Sequence, residues 1–400
     1  MVGIESLAFY TPGHFLDLAT LAAERGVDVG KYYQGIGQKQ MSVLPPDEDV
    51  VTMGAHAAQQ ALRGVDVSTI DTLMFATESG VDQSKAAAIY VHQLVGLPSS
   101  CKAFEIKQAC CGSTAALQMA LALVSQRPGK RVLIVASDVA RYGFGSPGEP
   151  TQGAGAVAMV ISRTPRLVVF DPESGSYTED VMDFWRPNYM DEALVDGKYS
   201  IKVYLQALAA SWRQYHEESG RSYADCSRYC FHLPFTKMAA KAHRHLAKVS
   251  GAADLSDDDM FSRHKNSLHY NEVTGNSYTA SLYVALASLL EQSEEDLAGQ
   301  RVGMFSYGSG CMATFFSCVV LEGYRDHLDT ARHEEMLEQR RELTYAEYVS
   351  FFNHRLPTDG RDFVTDRQSA GPFRLAGIKD HKRLYVNAEP KSAATASIAV

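Results

Sequence analysis

Residues 101–124 read CKAFEIKQACCGSTAALQMALALV, and this run decides the architecture. Cys101–Lys107 alternates apolar and polar side chains as a strand does, while Ser113–Val124 is apolar enough for a buried helix. Between them, Gln108-Ala-Cys-Cys-Gly-Ser-Thr114 must turn strand into helix within a few residues. A thiol at such a junction faces the free N–H groups and positive end of the helix, which predicts a lowered pKa for Cys110. Ala109, Gly112 and Ser113 leave room for a substrate. A buried structural cysteine fits the same local pattern.

The alternation continues on both sides. Asp71–Thr77, Arg131–Ser137 and Gly153–Ser162 are strand-like runs, as are Tyr229–Phe231, Val302–Tyr307 and Ala313–Glu322 further on. Thr236–Val249 and Thr279–Gln292 read as helices. Strands alternating with helices predict an α/β protein with buried sheets. Both halves run strand, reactive residue, helix, Gly-rich strand, which suggests a diverged duplication without a fixed-period repeat. Tyr324–Tyr348 is highly charged and is expected to form a solvated helix or helix pair. Glu389–Val400, rich in Ala and Ser, is expected to fray.

Composition narrows the function. The chain has 400 residues, with 38 Lys+Arg against 47 Asp+Glu and a net charge of −9. That length suits two or three domains or one duplicated unit. An apolar share of 46% excludes wholesale disorder, and the acid surplus argues against a nucleic-acid partner. Met1-Val-Gly-Ile-Glu5 lacks the features of a secretion signal. No apolar run approaches the ~20 residues that span a bilayer. A cytoplasmic protein without a membrane partner is expected, its seven cysteines reduced.

Further positions carry chemistry if the fold gathers them. Glu78 directly follows Asp71–Thr77, and open α/β sheets bind ligands at the C-terminal ends of their strands. Desolvated there, a carboxylate gains a raised pKa and serves as a base; an ordinary loop glutamate is the alternative. His232 lies in Cys230-Phe-His-Leu-Pro-Phe-Thr236, where Pro234 stops the strand and the imidazole can enter a cleft. A satisfied structural histidine fits as well. Asn276 precedes an apolar helix, as ligand contact or as cap. Ser306-Tyr-Gly-Ser-Gly310 offers backbone N–H groups to an oxyanion, or is a plain turn. Lys237, Lys241, Arg244 and Lys248 recur at helical spacing and, with His243 and His245, form a basic cluster. That face suits coenzyme phosphates, or is simply solvated. The spacing Cys226-x3-Cys230-x-His232 would require one short strand to aim alternate side chains at one ion, so no metal is expected. Adjacent Cys110 and Cys111 fit disulfide geometry poorly.

Together these residues resemble the 3-hydroxy-3-methylglutaryl-CoA synthase family. Glu78 in Ala-Thr-Glu-Ser-Gly, Cys110 in Glu105-x-Lys107-Gln-Ala-Cys and His232 in Phe-His-x-Pro-Phe-Thr-Lys look like its Glu/Cys/His triad. Asp138-Val-Ala-Arg-Tyr142, Gly148-Glu-Pro-Thr-Gln-Gly-Ala-Gly-Ala156, Asp183-Phe-Trp-Arg-Pro187, Asn276 and Tyr307-Gly-Ser-Gly310 follow in family order. The match spans residues 2 to about 350, and the length resembles the compact bacterial form.

The resemblance implies a thiolase-like fold, two similar halves in five layers α-β-α-β-α. Residues 1–164 would carry Glu78 and Cys110, and residues 165–400 would carry His232, Asn276 and the Tyr-Gly-Ser-Gly turn. It implies a homodimer with no cofactor or metal. Acetyl-CoA and acetoacetyl-CoA, with water, would give 3-hydroxy-3-methylglutaryl-CoA and CoA for the mevalonate (isoprenoid) pathway. Cys110 would take the acetyl group, Glu78 would remove a methyl proton, and His232 would hold the ketone and protonate the alkoxide. Tyr142, Thr151, Ser200, Asn276 and Ser309 would contact substrate, with Lys237 and Lys241 facing the coenzyme phosphates. Cys111 departs from the aromatic residue of many relatives, Cys311 reads as structural, and the last ~50 residues match poorly.

The nearest rival is the polyketide β-branching synthase, which takes acetyl from an acyl carrier protein. Thr236-Lys237 and Asp183-Phe-Trp-Arg186 favour free CoA substrates. A ketoacyl-carrier-protein synthase III condenses by decarboxylation and has no use for Glu78. A catalytically silent scaffold of the same fold would have lost one of Cys110, Glu78 and His232.

Overall fold

Alternation of side chains along each strand sorts the core into two faces. The structure, a computed structural model, describes residues 1–387. Nine strands hydrogen-bond in one run: β1 (Gly3–Tyr10), β2 (Ile70–Ala76), β3 (Lys102–Ile106), β4 (Arg131–Ala140), β5 (Gly153–Ser162), β6 (Val168–Thr178), β7 (Arg228–Phe231), β8 (Arg301–Gly308) and β9 (Met312–Val320). Their order is β7-β8-β9-β6-β1-β5-β4-β2-β3. Met74, Ile134 and Met159 face one core cluster while Phe75, Val135 and Val160 face another. Both faces are therefore buried, which the continuous apolar runs required. Fully buried Phe75 alone is worth about 3–5 kcal/mol against alanine.

Outward from the centre, β1-β5-β4-β2 and β6-β9-β8-β7 pair in the same sequence: antiparallel, antiparallel, parallel. Among the described residues β3, parallel to β2 at the sheet's edge, has no counterpart beyond β7. The halves join where Gly3 and Ile4 pair with Val169 and Val168. A Cβ at Gly3 would collide with the Val168 carbonyl, so this seam needs glycine.

Helices supply the other layers. The helices α1 (Val50–Ala61) and α2 (Ala87–Leu94) cover the first half. The helices α3 (Gly112–Gln126) and α6 (Ser281–Gln292) lie between the halves, with α4 (Gly197–Ser219) and α5 (Met238–Val249) on the far side. The result is the expected thiolase-like α-β-α-β-α arrangement. The first turns of α3 and α6 meet: Ser113 Oγ donates to the Thr279 carbonyl at 2.6 Å, and the Thr114 and Tyr283 hydroxyls lie 2.9 Å apart. Against the expectation that no apolar run approaches a membrane span, the 18-residue run Ala109–Gln126 is long and apolar enough to cross one by length and composition. Its residues Ala116, Leu117, Ala120 and Val124 are buried in the central core.

One expectation needs correction. The charged stretch Tyr324–Tyr348 holds helix α7 (Thr330–Glu338) and the start of α8 (Tyr345–Asn353), yet Tyr324, His333, Leu343 and Tyr348 are buried. His333 Nε2 accepts the Phe9 N–H at 3.1 Å, and its Nδ1 lies 2.9 Å from Glu291. Charge density alone hid these inward positions. The expectation for Glu389–Val400 lies outside the described residues.

Candidate active site

The chain turns from β3 into α3 by holding Ala109 at φ 41°, a left-handed backbone that costs a non-glycine residue energy. The second half braces this elbow: Gly308 approaches Gln108 and Cys111 so closely that a Cβ there would clash. The two neighbouring sulfurs part company. Cys110 lines a cavity of about 1050 Å³. Cys111 is fully buried and accepts from Ser306 Oγ at 3.4 Å, and burial pushes its thiol up to about 11.

Cys110 Sγ donates to Glu78 Oε1 at 3.1 Å. Glu78 is aimed by Asp138 near the end of β4, itself wholly buried. Asp138 Oδ1 accepts from Thr77 Oγ1 at 2.8 Å and from the Glu78 N–H at 2.9 Å. Its Oδ2 accepts from the Thr279 N–H at 3.1 Å and from Thr279 Oγ1 at 2.5 Å. One carboxylate thus clamps the Glu78 loop to the turn that opens α6. The Arg186 guanidinium donates to the Glu78 carbonyl.

Burial, then the charge of Asp138, raises Glu78 to about 8. Burial, then the Glu78 carboxylate, pushes the Cys110 thiol well above the usual range. This reverses the expectation of a lowered thiol pKa. The end of a helix offers a fraction of a charge, which desolvation and a contacting carboxylate outweigh. The resting sulfur keeps its proton and points it at a base.

His232 directly follows β7, much as Glu78 lies two residues beyond β2. Its N–H donates to the Phe305 carbonyl at 2.8 Å, and its own carbonyl accepts from Tyr204 at 2.9 Å. The ring is 2% exposed, lines the same cavity as Cys110, and is lowered to about 3 by burial. Its Nδ1 has no partner among the described residues. A neutral imidazole in a cavity can donate to or accept from a substrate oxygen.

Tyr142, Thr151, Ser200, Asn276 and Ser309 line this cavity too. Several hold the wall as well. Asn276 Oδ1 accepts the Tyr278 N–H at 2.9 Å, so the capping alternative describes that oxygen. Thr151 Oγ1 donates to the Gly148 carbonyl at 2.8 Å. Ser200 Oγ donates to Asp183 Oδ2 at 2.9 Å, as Tyr307 does at 2.7 Å, and Gly310 N–H donates to Oδ1 at 2.9 Å. Buried Asp183 therefore fixes the Tyr-Gly-Ser-Gly turn. Asp138, Asp183 and Arg186 stood in the sequence only as parts of the matching motifs, without roles of their own, although an acid closing the apolar run Arg131–Ser137 was a visible signal.

The basic cluster divides. Lys237, Lys241, Arg244 and Lys248 share the exposed face of α5, whose Met238 lines the cavity. Lys237 Nζ donates to the Gln34 carbonyl at 2.8 Å, Lys241 lies 5.2 Å from the Phe235 ring centre, and Arg244 pairs with Asp257 at 2.8 Å. His243 does not belong to that face: it is fully buried, 2.7 Å from the Tyr223 hydroxyl and 2.8 Å from His264. Cys226 and Cys230 are also fully buried. Among the described residues no three His, Cys, Asp or Glu are grouped to hold a metal. All seven cysteines are free thiols.

Comparison with known proteins agrees along most of the chain. Residues 1–165 match the model for the N-terminal region of hydroxymethylglutaryl-coenzyme A synthase, and residues 168–249 and 243–371 match that for its C-terminal region. A hydroxymethylglutaryl-CoA synthase of Enterococcus faecalis is 41% identical over 386 residues, 96% of this chain and 100% of that protein. A polyketide-biosynthesis 3-hydroxy-3-methylglutaryl-ACP synthase of Bacillus subtilis is 33% identical, covering 88% and 87%. Among solved structures, an HMG-CoA synthase complexed with CoA superposes with a TM-score of 0.91 at 38% identity, covering 96% and 99%. An HMG synthase of the curacin pathway with a holo donor carrier protein gives 0.90 at 31%, with the same coverage.

Proposed function

The chain belongs to the hydroxymethylglutaryl-CoA synthase family, and we propose that its cavity joins acetyl-CoA to acetoacetyl-CoA, with water, to give 3-hydroxy-3-methylglutaryl-CoA and free CoA. The observation that carries this reading is the 3.1 Å contact from Cys110 Sγ to Glu78 Oε1 beside a cavity that His232 also lines.

In the first step Cys110 sulfur attacks the acetyl carbonyl as Glu78 accepts the thiol proton. The proton passes to the departing coenzyme thiolate, leaving acetyl on Cys110 and Glu78 ionised. In the second step Glu78 takes a proton from the acetyl methyl group, and the carbon attacks the ketone of acetoacetyl-CoA. Backbone N–H groups of Cys110 and Ser309 stabilise the enolate oxygen. Buried and neutral, His232 donates its N–H to the ketone oxygen and gives that proton to the new alkoxide, and the methyl proton taken up by Glu78 makes good the one the imidazole has given. Water then cleaves the Cys110 thioester, freeing the carboxylate and restoring the thiol.

Tyr142, Thr151, Asn276 and Ser309 shape the acyl site, and Ser200 acts through Asp183. Lys241, with Lys237 tethered to Gln34, faces the phosphates. The chemistry calls for no cofactor or metal. The division at residues 164/165 assigns base and nucleophile to the first half and His232 to the second. The exposed edge strand β3, with Phe104 outward, suits pairing of two copies into a homodimer. The enzyme would serve the mevalonate route in the cytoplasm.

Labelled acetyl-CoA followed by intact-mass measurement tests the reading. Wild type should gain one acetyl group that acetoacetyl-CoA discharges, and Cys110→Ser should gain none. Label on Cys110→Ser would defeat it. Faster loading from an acetyl-carrier protein than from acetyl-CoA would transfer the reading to the carrier-dependent branch.

A further inference from the structure

We propose that Arg186 is a positioning residue for the base: its guanidinium, reaching from the second half to the carbonyl of Glu78, keeps that carboxyl ionisable enough to remove the methyl proton. The inference rests on Glu78 being the base.

The geometry is specific. Residues 183–186 link the parts of the site: Asp183 fixes the Gly308–Gly310 turn, Phe184 packs on Tyr142 and Tyr278 with ring centres 6.1 and 5.6 Å away, and Arg186 bonds the Glu78 carbonyl. Arg186 is half-buried, and no carboxylate lies within ion-pair distance of it among the described residues. Other cations nearby are already engaged: Arg141 with Glu192, Arg355 with Asp191 and Glu192, Arg383 with Asp49. Arg186, Ser79, Gly80 and Val81 line a second cavity of about 710 Å³, whereas Cys110 lines the first. The guanidinium thus approaches the base from a side that leaves the thiol and substrate unobstructed.

The groups that face Glu78 are Cys110, Asp138, Arg186, Tyr142 and Tyr278. Burial and Asp138 favour its protonated form, the thiol hydrogen bond opposes them, and Arg186 is the one cation in the set. A base locked in its acid form could not enolise the thioester. The positive charge of Arg186, held at the Glu78 carbonyl, favours the carboxylate and so restores a usable fraction of base.

The test is the pH dependence of condensation from preloaded acetyl-enzyme, with melting temperature as a folding control. Arg186→Met should move the acidic limb of the profile up by about one pH unit, a roughly tenfold loss below the limb that vanishes at high pH. Arg186→Gln, which keeps an N–H donor without the charge, should move it likewise, and Arg186→Lys should leave it in place. A limb unmoved in Arg186→Met and Arg186→Gln, or a loss equal at every pH, would overturn the proposal. If Glu78→Gln condenses at the normal rate, the base assignment itself is wrong. If Glu78→Gln is dead while the Arg186 variants keep the wild-type limb, the base stands and Arg186 merely holds the loop.

Discussion

Glu78 and His232 occupy equivalent topological places, each just beyond the strand that runs parallel to its inner neighbour, β2 beside β4 and β7 beside β8. Burial treats the two oppositely. It raises the carboxyl to about 8 and lowers the imidazole to about 3, and so drives both toward the neutral form. The surroundings then separate them. Glu78 has a clamp, a thiol and a cation around it, while His232 Nδ1 has no partner among the described residues. Two halves with the same strand pairing supply two desolvated sites, and in the proposed mechanism the local contacts decide which one moves a proton repeatedly and which one holds an oxygen.

The largest expected effect breaks this pair on the acid side. Glu78→Gln should lower the condensation rate about a thousandfold if Glu78 is the proposed base, since among the described residues it is the carboxylate bonded to the Cys110 sulfur. Single-turnover assays on acetyl-enzyme would measure it. His232→Asn should cost about a hundredfold in condensation while leaving acetyl loading intact, because in the proposed mechanism its partner is the ketone of the second substrate. Equal losses in both steps would contradict that division of labour. A smaller effect concerns the sulfur. Removing the Glu78 charge lowers the Cys110 pKa, so Glu78→Gln should be alkylated about tenfold faster by iodoacetamide at pH 8, with His232→Asn unchanged.

The smallest effect lies in stability. Between about pH 4.5 and 8 the folded Glu78 holds a proton that the unfolded chain releases, so this residue costs stability as pH rises through that window. Between about pH 6.5 and 3 the folded His232 refuses a proton that the unfolded chain accepts, so it costs stability as pH falls. Each slope is about 1.4 kcal/mol per pH unit at most. Glu78→Gln should flatten the decline from pH 6.5 to 8, and His232→Asn the decline below 4.5, in urea melts across pH.

Much of this was readable beforehand. Continuous apolar runs marked β2, β4 and β5, and period-two alternation marked β3, within a residue or three, because the first three are buried on both faces and β3 lies at an exposed edge. Glu78, Cys110 and His232 stood out because each punctuates the end of a strand. What stayed hidden depends on distant partners. Asp138 matters through Thr279, 141 positions away, and Asp183 through Tyr307, 124 away. His243 sits among lysines in sequence but on the opposite face of α5. The thiol's pKa was misjudged because local reasoning counted the helix and left out the carboxylate 32 residues earlier.

Asp138 has one more consequence. The same two oxygens seat the base and fasten the helix that begins the other half's inner layer, so loosening between the halves unseats the base early. A partly opened chain goes quiet instead of spilling activated acetyl groups into side reactions, which makes catalytic competence a sensitive gauge of whether the molecule is shut.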